Sequence, residues 1–192
     1  MSKTTTERLQ DAALARFAVQ GFDATTMNEI AADVGIKKPS VYAHFRNKDE
    51  LFMSLIPLMI ESELAHARSV FQGGEAIRAQ LLAYFHGIQE RFDGSPQVRF
   101  WMRILFSPPV HLYEQVMQPM HIFMDDLEDI IRQAVGNSPL ALAPLEVETQ
   151  VIACMAMIES LQSELLFGGA RKYRRRLTAI WTVFEAAVAH PD

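Results

Sequence analysis

A single cysteine in 192 residues, Cys154, excludes a disulfide framework and any multi-cysteine zinc site. Nine glycines and nine prolines are too few for collagen-like or Pro/Gly low-complexity chains. No unbroken apolar run approaches 18–20 residues, so no membrane-spanning helix is expected. The first eight residues are polar, unlike a secretory leader. A cytoplasmic protein with no membrane partner is the expectation. There is no phosphate-cradling glycine loop and no G-x-S-x-G turn. One Glu-x-x-His spacing, Glu63 to His66, has nothing to pair with, so a di-iron bundle is not supported. His111, His121 and Cys154 lack ligand spacing, so no metal and no cofactor are expected. These absences argue against an enzyme.

What is present is apolar and helical. Hydrophobic residues make up 49% and charged residues 21%, enough to bury a core. The net charge is −5, yet residues 1–48 hold seven Lys/Arg against five Asp/Glu. Residues 36–48 hold four basic residues and no acid. An acidic body with one basic end suits a protein that touches phosphate at that end only.

Helical periodicity runs throughout, with no strand-length alternation and no repeat, so the fold class is all-α. Thr4 and Glu7 form a capping box, and Leu9, Ala13 and Phe17 share one face up to Gly21. Thr25-Thr26 opens a second short helix that Gly35 ends. A third begins near Lys37–Pro39, and Asn47 caps a fourth reaching Gly73-Gly74, with a kink or break expected at Pro57. Further helices are expected over 75–92, 97–106, 110–135 with a bend at Pro119, 145–167 and 171–189. Residues 136–144 read as a loop. The division expected is 1–52 and 53–192, a small helix-turn-helix domain and a larger helical one.

Residues 27–45 have the pattern of a helix-turn-helix: short helix, glycine turn, short helix. Ala31 is small where the two helices must approach, and Gly35 permits the turn's positive φ. At about 100° per residue, Pro39, Ser40, Tyr42 and Ala43 face away from Val41 and Phe45, with His44 on the flank. Short and hydrogen-bonding side chains of that kind suit a DNA groove.

The stretch AALARFAVQGFDATTMNEIAADVGIKKPSVYAHFRNKDELF, Ala12 to Phe52, resembles the N-terminal domain of the TetR/AcrR family of transcriptional regulators. Phe17, Gly21-Phe22, Thr25-Thr26, Ile30-Ala31, Val34-Gly35, Tyr42, His44-Phe45 and Lys48-Asp49-Glu50-Leu51 carry the likeness. It covers about a quarter of the chain. Two positions depart from the family's habit: Pro39, where glycine is common, and Ala43, where a bulkier residue is. The resemblance implies a homodimer on a palindromic duplex-DNA operator, usually repressing, and released by a small-molecule effector in the C-terminal domain. A ligand-independent DNA binder is the alternative, and an all-helical enzyme a remoter one.

Roles follow as expectations. Thr26 and Lys48 would bind phosphate, and Tyr42 and His44 backbone or groove edge. Lys37, Lys38, Ser40 and Ala43 would read bases, with Pro39 on the same ridge. For the effector, which the Met- and aromatic-rich interior suggests is apolar or amphipathic, Phe85, His86, Trp101, Arg103, His121, Met124 and Glu159 are the candidates. Pro57 would be either a hinge or a fixed bend. Val151, Met155 and Ile158, then Ile180, Trp181, Phe184 and Val188, lie on apolar stripes of the last two helices. A four-helix bundle with a second copy is the expected dimer. The Arg171–Arg176 tract reads as a solvated helix start, offset by the acids at 125–129.

Overall fold

A computed structural model describes residues 3–73, 75–142 and 145–189. Gly74 and residues 143–144, which close the expected fourth helix and the expected loop, lie outside them. Among the described residues there is no strand. The helices are α1 (Thr5–Ala24), α2 (Met27–Val34), α3 (Lys38–Tyr42), α4 (Lys48–Met53), α5 (Ile56–Phe71), α6 (Ile77–Gly94), α7 (Pro96–Phe106), α8 (Tyr113–Gly136) and α9 (Val147–Val188). Single 3-10 turns precede α8 and α9.

The ends of these helices follow from their residues. Thr4 and Thr26 each form a reciprocal capping box, with Glu7 and Glu29. Asn47 accepts from the Glu50 N–H at 2.7 Å. Gly35 sits at φ +72° and closes α2 in the left-handed region, where a side chain would be strained. Gly21 (φ +83°) breaks α1 before its last residues, and Gly169 (φ +73°) divides α9 in two. The expected fourth helix is two helices, α4 and α5. Pro57 is the second residue of α5, where its missing N–H leaves no bond unmade.

The chain groups into two compact units. The first joins the residues up to Ser62 with Gly94–His121; the second joins Glu63–Asp93 with the residues from Ile122 onward. Residues 94–121, assigned by the sequence to the second domain, therefore group with the helix-turn-helix. The reason is aromatic. Phe100 on α7 lies 6.0 Å from Phe17 and 5.5 Å from Phe52, ring centre to ring centre. Phe22 lies 5.1 Å from Phe52. Leu9, Ile30 and Val41 are fully buried beside this cluster's unit core.

In the second unit the Tyr173 hydroxyl donates to the Phe85 carbonyl, and the Glu63 carboxylate meets Arg91. Arg132 gathers Glu128, Asp129 and Glu148, a neutralising role the sequence had given to the 171–176 tract. From that tract Arg176 pairs with Glu164, and Tyr173 is buried.

One helix bears on the expectation that no segment spans a membrane. An 18-residue window of α9 has a mean hydropathy of 1.4, long and apolar enough by length and composition to cross a membrane. Counting unbroken apolar runs passed over it because Glu159, Ser160, Gln162, Ser163 and Glu164 interrupt the stretch. A third of that window is buried within the chain, by side chains such as Val151, Cys154, Met155 and Ile158.

Candidate nucleic-acid interface

α3 is only five residues long, and its environment decides which way each points. Val41 is 0% exposed and Phe45 is 5% exposed, so both anchor it to the unit's core. Lys37, Lys38, Pro39, Ser40, Tyr42, Ala43 and His44 are all exposed. The ridge read from the sequence is thus presented to solvent. Pro39 occupies the first turn of α3, and Lys37 caps it through its backbone alone. The Lys38 ammonium lies 5.8 Å from the Tyr42 ring centre, within cation–π reach. The His44 Nδ1 and the Thr6 hydroxyl of α1 are 3.0 Å apart, which fixes the imidazole against the first helix.

The bracing of this ridge uses residues to which the sequence reading gave no part. Arg16 on α1 reaches Glu29 at 2.8 Å and Asp33 at 2.5 Å on α2. Arg8 donates to the Val34 carbonyl at the end of α2. Their signal in the sequence was weak: an arginine on an exposed helical face is ordinary, and only the crossing of α1 and α2 gives it partners.

Two expected phosphate ligands have other duties. The Lys48 ammonium donates to the carbonyls of Phe22 (2.6 Å), Thr25 (2.9 Å) and Asp23 (3.4 Å) and lies 4.1 Å over the Phe22 ring. An ammonium has three N–H donors, and here all three have acceptors. Lys48 therefore clamps the chain leaving α1 in the DNA-free protein. The Thr26 hydroxyl donates to Glu29 at 2.8 Å and is likewise engaged. That bond, with the Thr26 N–H, holds the Glu29 carboxyl below its usual range.

His111, in the turn before α8, stands 3.1 Å from Asp49 and 5.5 Å from the Phe22 ring. It joins the α7–α8 turn to the start of α4 within the same unit.

The expected effector residues divide between the two units. Trp101, Arg103 and His121 belong to the first unit, and Phe85, His86, Met124 and Glu159 to the second. Phe85 and Trp101 are core, at 0% and 1% exposure. His86, Arg103, His121 and Glu159 are exposed and Met124 half-buried. A polar residue between apolar neighbours on a helix points about 100° from each of them, so those four turn outward. A groove in the second unit is lined by other residues, at the end of α5, the start of α6 and the last turns of α8.

The dimer residues are also corrected in part. Val151, Met155, Ile158, Phe184 and Val188 are buried within one chain, so they have no face to offer a partner. Ile180 and Trp181 are half-buried, and Trp181 stacks on Phe184 at 5.6 Å. The exposed apolar side chains of α9 are Ile152 (55%), Phe167 (77%) and Val183 (67%). The sequence signal for these was apolar residues lying off the inward periodicity.

With the ridge and its bracing in place, the likeness to known proteins can be weighed. Residues 9–55 match the model of the bacterial regulatory proteins of the tetR family. That segment is similar to the N-terminal DNA-binding domain of the family. It is 24% identical over 177 residues to the HTH-type transcriptional regulator SrpR of Pseudomonas putida, covering 88% of this chain and 77% of that one. It is 30% identical over 83 residues to the HTH-type transcriptional repressor ComR of Escherichia coli, covering 43% of this chain and 40% of ComR. The crystal structure of the transcriptional regulator FadR from Bacillus subtilis in complex with stearoyl-CoA superposes with a TM-score of 0.66 at 14% identity, over 97% of this chain and 99% of that one. The matched segment is the helix-turn-helix at the N-terminus, and the regulators that share it are generally repressors.

Proposed function

We propose that the protein is a ligand-responsive repressor that binds a palindromic operator as a homodimer and is released by a small molecule. The observation that carries the reading is the exposed ridge from Lys37 to His44, pinned from behind by Val41 and Phe45. Lys37, Lys38 and Ser40 have free ends to offer base edges, and Ala43 can pack on a thymine methyl. Tyr42 and His44 suit the sugar–phosphate rim. The Met27 and Asn28 N–H groups at the start of α2 suit a phosphate beside Thr26.

The homodimer reading is supported by the exposed stripe Ile152, Ala156, Glu159 and Phe167 on the first half of α9, and by Ala179 and Val183 on the second. Two copies of these segments would form a four-helix bundle and cover Phe167 and Val183. A two-fold pair presents two ridges, and a palindrome spaced by one helical turn meets both. A small-molecule effector is supported by the likeness to the family and by FadR, whose structure holds stearoyl-CoA. An effector favouring the DNA-incompetent state 100-fold would supply about 2.7 kcal/mol of coupling per site.

Selection from a random duplex library at about 0.15 M salt tests the reading. The expected outcome is a palindrome bound at least ~10³-fold more tightly than unrelated duplex. Uniform affinity for all duplexes, or a protein that stays monomeric at micromolar concentration, would overturn it.

A further inference from the structure

The groove of the second unit carries chemistry that DNA recognition does not use. It encloses about 610 Å³, a volume typical of small-molecule sites. Its apolar floor includes Phe71 and Ile77, only 7% and 6% exposed. Gln80 is a buried polar side chain in the same wall, 6% exposed, and its Nε2 donates to the Gly73 carbonyl at 2.6 Å. That bond ties the start of α6 to the turn that follows α5.

The charge around the groove is one-sided. Glu75, Asp126 and Asp129 line it against a single cation, Arg68. Asp129 is held by Arg132, which is itself shared with Glu128 and Glu148. Among the described residues, Glu75 and Asp126 have no ion-pair partner. The helix ends reinforce that sign. α5 ends at Phe71 and α8 at Gly136, so two carbonyl termini border the groove, against the one amide terminus of α6. A helix C-terminus favours cations. The acids are not gathered for a metal, since among the described residues no three His, Cys, Asp or Glu could hold one ion. Dispersed carboxylates over an apolar floor fit a ligand whose positive charges are likewise dispersed along an apolar chain.

We propose that this groove binds a protonated organic amine, a flexible diamine or polyamine. Its ammonium groups meet Glu75 and Asp126 while its methylenes lie on Phe71 and Ile77. As a binding site the groove stands independently of the regulatory reading; as the effector site it rests on that reading.

Calorimetric titration of the full chain with spermidine and with cadaverine, at about 50 mM salt, is the test. Saturable binding of one molecule per chain is expected. Glu75→Gln and Asp126→Asn should each weaken it several-fold, and together roughly tenfold, the scale of exposed charge pairs. Asp125→Asn makes the same charge change on an exposed residue outside the groove and should leave affinity unchanged. Failure of both amines to saturate, or equal losses with Asp125→Asn and Asp126→Asn, would overturn the proposal. Operator affinity is measured beside it. Saturable amine binding that leaves operator affinity unchanged upholds the groove and removes it as the effector site. Intact operator binding with no amine binding overturns the groove alone.

Discussion

The two units spend their polar side chains differently. In the first, many go to the backbone, beside pairs such as Arg16 with Glu29 and Asp33. Thr4, Thr26, Asn47 and Ser95 each cap a helix, Arg8 holds the Val34 carbonyl, and Lys48 holds three carbonyls. In the second, one arginine gathers several acids and long side chains pair beside it: Arg132 with three acids, Glu63 with Arg91, Arg176 with Glu164. The long α9 has no side-chain cap at all. A side chain bonded to backbone fixes where a helix starts and how it turns. A pair of long side chains can re-form in another arrangement at little cost. The first pattern suits a unit that must present one ridge in one geometry, and the second suits a unit that must accommodate something.

Removing the aromatic keystone should break the first unit. Phe100→Ala deletes a ring that is 1% exposed and packed against Phe17 and Phe52. A loss of about 3–5 kcal/mol in urea denaturation is expected, with DNA binding lost alongside. Phe167→Ala removes the same ring from a site 77% exposed. It should leave the folding of one chain within about 0.5 kcal/mol, while sedimentation shows the dimer dissociating at higher concentration. Equal effects of the two variants on chain stability would erase the distinction between core and partner face.

Lys48→Met asks whether that side chain serves the fold or the DNA. As a carbonyl clamp it should cost about 1–3 kcal/mol of stability and leave the salt dependence of operator binding unchanged. As a phosphate ligand it would do the reverse, lowering the salt slope by about one. Ser40→Ala should be thermally silent, yet shift preference at one base position per half-site by roughly 1–3 kcal/mol. Uniform weakening across operator variants would place Ser40 on the backbone instead.

The same difference explains what could be read from residues alone. The caps, the two glycine turns at Gly21 and Gly35, and the outward set Pro39, Ser40, Tyr42 and Ala43 were legible because each depends on neighbours within about four positions. The carbonyl contacts of Lys48 were illegible because its acceptors lie 23–26 residues away, at Phe22, Asp23 and Thr25. The grouping of residues 94–121 with the helix-turn-helix was illegible for a related reason: nothing local in Phe100 says that it packs against Phe17. In α9, apolar residues on both sides of the helix left open which side faced inward, and Ile152 was passed over for Val151. The groove was invisible, since Glu75 and Asp126 are ordinary surface acids until α5, α6 and α8 are brought together.

The smallest expected effect concerns His66, which belongs to the second unit's network. It is half-buried, stacked 5.6 Å from the buried Tyr84 ring, and near the Arg91 guanidinium. Burial first, and the charge of Arg91 second, lower its pKa from 6.5 to about 4. The unfolded chain therefore binds a proton near pH 6.5 that the folded chain refuses until about pH 4. Stability from this source is whole above pH 6.5 and declines as the pH falls towards 4, by an amount that solvent screening at a half-exposed ring keeps modest. His66→Asn should flatten the slope of melting temperature against pH between 6.5 and 5, where most carboxylates are still ionised. Parallel curves for the two proteins over that interval would mean that His66 takes up its proton in the folded chain as readily as in the unfolded one, and that the Glu63–Arg91 pair tolerates a second cation beside it.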